Sequence, residues 1–156
     1  MSKKPTVADA ELILKLYDLR REAEMRKARH WWVVNFWPDS ADDLGKIAMA
    51  AGTQENNWMR QVTGYWEMAA SFVLHGTLSE ELFMELAFCG EMFVIYAKVR
   101  PFLRDLREQL KSPTIMANIE KLITRSKSAR ETLKGFEERL AARKKTMKEA
   151  AVARAS

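Results

Sequence analysis

Helix-start signals recur along this chain, and they constrain its fold more than any other feature. Thr6 followed by Asp9 is an acidic capping box, in which a hydroxyl accepts from an amide of the first turn and a carboxylate reaches back. The signature returns at Ser40 with Asp43 and at Ser128 with Glu131. Thr53 before Gln54 and Glu55, and Ser79 before Glu80 and Glu81, are further caps with acids at the positive end of the helix dipole. Stop signals alternate with these. Pro38, Gly52, Gly76 and Pro101 each end or break a helical pattern, and Ser112-Pro113 reads as a cap with proline at the first helical position. The segments implied are Thr6 to about Trp37, Ser40 to Gly52, Thr53 to His75, Ser79 to Val99, a continuation past Pro101 to Leu110, and helices from Ser112 and Ser128.

Spacing supports this punctuation. Leu12, Leu16, Leu19 and Ala23 fall on one face of the first segment, and Trp58, Val62, Tyr65, Ala69 and Phe72 do so in the third. The fourth is apolar nearly all round, with Leu82, Leu86, Cys89, Phe93 and Ala97 joined by Phe83, Phe88, Met92, Val94 and Ile95, so it is the central helix. No alternating β-branched run and no Asn-Gly hairpin signal occurs. The expected fold is all-α, a multi-helix bundle of five to seven helices around a central apolar helix, with a basic C-terminal helical tail. Residues 1–124 form the expected bundle domain and 125–156 the tail. Gly64 and Gly90 interrupt helical patterns; they allow close helix approach or leave room for a ligand, and close packing is the reading preferred.

Charge divides along the same line. The net charge of +5 resides in residues 125–156, which hold 10 basic and 4 acidic side chains, whereas residues 1–124 hold 16 and 17. The tail lacks interleaved aromatics, so it argues against nucleic-acid recognition and leaves binding of a nucleic acid or acidic surface as a lesser alternative. The first residues lead into a charged segment rather than an apolar leader, and Leu82 to Tyr96 is broken by Glu85 and Glu91 and too short to span a bilayer. A cytoplasmic protein without a transmembrane segment is expected.

Catalytic chemistry finds no foothold. Neither His30 nor His75 has a glutamate three residues before it, so no di-iron pattern exists, and no metal or cofactor is expected. Cys89 lies in apolar surroundings that leave a thiol inert. There is no nucleophile elbow and no phosphate loop, and no catalytic residue is assigned. Two groups remain as candidates. Trp31, Trp32, Phe36 and Trp37 belong to a run too bulky for one helical stripe, so other helices surround it or part of it meets a partner. A non-enzymatic interaction or assembly domain, self-associating as a homodimer, is therefore the leading expectation. The alternative is a bundle that binds a small ligand or anion, near Trp58, Arg60, Tyr65 and Glu67 or along the cationic stripe Arg100, Arg104, Arg107 and Lys111.

The stretch Tyr65-Trp66-Glu67, the run from Phe72 through His75-Gly76 to Leu82, and Val99-Arg100-Pro101-Phe102-Leu103 with Arg107 are laid out as in bacterial all-helical domains of unknown function. The resemblance spans residues 58–124. It implies a helical fold and brings no activity or catalytic residue with it.

Overall fold

The computed structural model describes residues 3–156. It is all-α, as expected, and no strand occurs among the described residues. Thr6 forms the capping box of α1 (Val7–Arg21), accepting from the Asp9 amide while the Asp9 carboxylate accepts from the Thr6 amide at 2.8 Å. The first segment is two helices rather than one. Glu22 leaves helical geometry (φ −56°, ψ 144°) and its carboxylate accepts from the Met25 amide at 2.8 Å, capping α2 (Ala23–His30). Sequence reading reserves that role for shorter polar side chains, so the break was hidden. A π-helical turn, Trp31–Asn35, then ends before Pro38.

α3 (Ala41–Met49) and α4 (Gln54–Leu74) start from Ser40 and Thr53, and α4 closes with Gly76 at φ +73°. Ser79 caps only the short α5 (Glu80–Phe83), because the chain unwinds at Glu85 before α6 (Leu86–Val99). Pro101 lies in a 3-10 turn, Arg100–Phe102, which leads into α7 (Leu103–Gln109). These extra breaks divide the expected helices into nine α segments among the described residues. The helix expected from Ser112-Pro113 does not start there. Left-handed Lys111 (φ 49°) and Met116 (φ 54°) bracket a turn, and α8 (Ala117–Thr124) follows. The last helix, α9 (Lys127–Ala155), is capped by Ser126, whose hydroxyl accepts from the Ala129 amide at 3.0 Å, two residues before the cap expected.

α4 packs on α2, α3 and α8, and α6 lies against α8 and α9. The C-terminal half of α6, with Met92, Phe93, Ile95, Tyr96 and Val99, is buried, which makes it the central helix expected. α9 joins the core through its first half: Leu133 is buried, Phe136 stacks on Phe93 at 5.4 Å, and Leu140 packs against the same core. The buried stripe of α1 is Asp9, Ile13, Leu16 and Arg20; it shares Leu16 with the expected face, of which Leu12 is half-buried and Leu19 is 55% exposed. Counting apolar residues misses this because both end residues are polar. Asp9 is buried while accepting from the Ser79 amide at 2.8 Å, and the Arg20 guanidinium lies 5.4 Å from the Trp66 ring.

Candidate functional site

A cleft of about 360 Å³ opens beside α4. Leu44 and Ala48 of α3, Met59 and Gly64 of α4, Val99, Leu106 and Leu110, and Ile115 and Met116 make it chiefly apolar. Trp32 lines it as well; it is 1% exposed and its indole N–H is buried without an acceptor among the described residues. Thr63, Ser112 and Thr114 add hydroxyls, and Arg60 and Glu67 add charge. Volume and lining both suit a small apolar ligand.

Gly64 helps keep the cleft open. A Cβ placed there would meet nothing within 4 Å, so the preferred expectation of close packing is corrected for this residue: it leaves room. At Gly90 the nearest neighbour is the Phe136 ring, at 3.9 Å. The far wall is the bracketed turn, held by side chains from three helices. Arg107 of α7 donates to the Ile115 carbonyl oxygen at 2.8 and 3.0 Å and to Glu120 at 2.7 Å. Glu67 of α4 accepts from the Asn118 and Ile119 amides at 3.3 and 3.1 Å, so a carboxylate of one helix caps the first turn of another.

The structure divides the first ligand candidates among three places. Arg60 and Glu67 line the cleft. Tyr65 is buried behind it, its hydroxyl donating to the Leu16 carbonyl oxygen at 2.8 Å, and burial pushes its pKa up to about 12. Trp58 borders a separate, open hollow with Trp31, Arg26, Lys27 and His30. The cationic stripe is dispersed because the helix does not continue through it. Arg100 pairs with Glu137 at 2.7 Å, Arg104 with Glu108 at 3.3 Å, and Arg107 is committed as described. Lys111, beyond the end of α7, is exposed and makes no ion pair among the described residues.

The aromatic run is closed within the chain at Trp32 and half-buried at Trp31, Phe36 and Trp37. Trp32 is core, Trp31 stacks on Phe36 at 4.5 Å, and the Trp37 indole donates to the Val34 carbonyl oxygen at 2.8 Å. Lys98, which sequence reading passed over inside an apolar helix, organises this region. Its Nζ donates to the carbonyl oxygens of Trp32 at 2.7 Å, Val33 at 3.0 Å and Phe36 at 2.9 Å, and sits 3.8 Å from the Trp37 ring centroid. Burial, reinforced by the positive charges of Arg143 and Lys144, pushes its pKa down to about 7. The tail meets the same segment: Arg143 lies over Trp37, and Lys144 donates to the Pro38 carbonyl oxygen and pairs with Asp39 at 2.7 Å.

The remaining chemical candidates are committed to structure. Glu91 accepts from Arg29 at 2.7 Å and from the Trp66 indole at 3.0 Å. Cys89 is buried, and burial raises its thiol to about 12, which leaves it protonated and inert.

Fold and cleft together define an all-helical bundle, none of whose described helices is long and apolar enough to cross a membrane. Residues 5–126 match a domain of unknown function, DUF4760, and the chain belongs to that family. The match ends one residue before α9. No curated protein and no solved structure matches the chain.

Proposed function

We propose that this protein is a non-catalytic binder of a small apolar ligand, held in the cleft between α3, α4, α7 and the turn before α8. The observation that carries this reading is an apolar cleft of about 360 Å³ beside a helical glycine with open space over it. Small-molecule sites are typically concave and mostly apolar, with a few polar groups at the wall. Alanine at a helix-interior position is favoured over glycine by about 1 kcal/mol, so an unfilled Gly64 fits a site that needs the room. Titration with 1-octanol by calorimetry tests the reading. Saturable binding to the native chain, lost in Gly64→Met, is expected. Binding that Gly64→Met leaves unchanged places the ligand elsewhere and overturns it.

Self-association stands second, on one observation. Trp31 and Trp58, with ring centroids 6.3 Å apart, flank an open hollow of about 430 Å³ rather than a closed core. A homodimer meeting there would shift toward monomer in Trp58→Ala by light scattering. A native chain that is monomeric throughout would end that reading.

A further inference from the structure

We infer that the ligand is a single-chain amphiphile with an anionic head, of the medium-chain carboxylate class; this rests on the cleft being a ligand site. The apolar walls accept a hydrocarbon chain, and the charges around them decide the head.

Arg60 is an exposed residue on the cleft wall and forms no hydrogen bond or ion pair among the described residues. Lys111, equally unpaired, stands between two lining residues, Leu110 and Ser112. The opposing charge offsets them only in part: Glu67 keeps its single negative charge on the cleft wall, against two unpaired cations. Both oxygens of Glu67 are engaged by the Asn118 and Ile119 amides, at the positive end of α8. Arg107 and Glu120 neutralise each other across 2.7 Å. The uncommitted charge bordering the cleft is therefore positive, on a guanidinium suited to a carboxylate. A neutral ligand would gain nothing from either cation, which water already solvates, and a cationic one would be repelled.

The test compares three probes of one chain length, octanoate, 1-octanol and octylamine, on the full chain and on Arg60→Gln. Octanoate should bind about tenfold more tightly than the other two, as one charge-assisted contact would give. Arg60→Gln should remove most of that advantage and leave 1-octanol unchanged. Equal affinity for octanoate and 1-octanol overturns the anionic head and leaves the apolar site standing. So does an octanoate advantage that survives in Arg60→Gln combined with Lys111→Gln. Failure of all three probes to bind overturns the cleft itself, and the inference with it.

Discussion

Replacing Lys98 by methionine removes a buried ammonium while keeping most of its bulk. The native Nζ satisfies three carbonyl oxygens, those of Trp32, Val33 and Phe36, at 2.7 to 3.0 Å. They lie where the π-helical turn ends and the carbonyls have run out of helical amide partners. Leaving each without a donor costs about 1 kcal/mol, or about 3 kcal/mol together. Methionine avoids the cost of burying a charge, which offsets part of this, so a net loss of about 2 kcal/mol is expected. Urea unfolding followed by tryptophan fluorescence measures it: the midpoint should fall with the slope unchanged. The pH dependence gives a second readout. The folded-state pKa lies at about 7, below the ordinary 10.5, so between these values the unfolded chain binds more protons and native stability rises with pH. The methionine variant lacks that gain, so the stability gap should widen from about pH 6 to about pH 9. A variant as stable as the native chain would refute the carbonyl argument. A gap that narrows as pH rises would show that the carbonyl oxygens hold the ammonium more strongly than burial disfavours it.

Gly64→Ala should stabilise the protein by about 0.5–1 kcal/mol, since its Cβ meets nothing and the unfolded chain loses freedom; a lower thermal midpoint would mean the space is not open. Glu67→Ala should cost about 1–2 kcal/mol by uncapping α8, and exchange of the Asn118 and Ile119 amides should quicken more than that of α4; uniform acceleration would argue against a local cap. The Thr6 hydroxyl and the Ser79 and Thr6 amides hold the Asp9 carboxyl below its usual range, so its stabilisation is present above the unfolded pKa and lost as pH falls through the folded one. Thermal melts of Asp9→Asn should accordingly show a shallower decline in acid than the native chain; parallel declines would discount that cap.

The helix starts at Thr6, Ser40, Thr53 and Ser79 were legible in the sequence because each is a local hydrogen bond between neighbours. The breaks at Glu22 and Glu85, and the start of α8, were not. Glu22 uses its carboxylate as a cap, and the cap of α8 comes from Glu67, about fifty residues away. Arg60 and Glu67 were legible as candidates because they are charges on an apolar helix, and both line the cleft. The walls supplied by Leu44, Leu106 and Ile115 depend on tertiary packing that no periodicity encodes. Lys98 escaped notice because it lies beside the break that Pro101 sets, and no local spacing shows that its ammonium reaches the carbonyls of Trp32, Val33 and Phe36. A signal did exist: Trp32 to Pro38 needs donors for carbonyls that proline cannot supply.

The central claim is that the cleft beside α4 is a ligand site, and methionine methyl resonances test it most directly. Met59 and Met116 line the cleft, whereas Met25 and Met92 are buried away from it. Titrating octanoate into protein carrying ¹³C at its methionine methyls should move the Met59 and Met116 signals together and saturably, with Met25 and Met92 unmoved. Signals that all stay in place, or that move only at exposed Met49 and Met147, would contradict it.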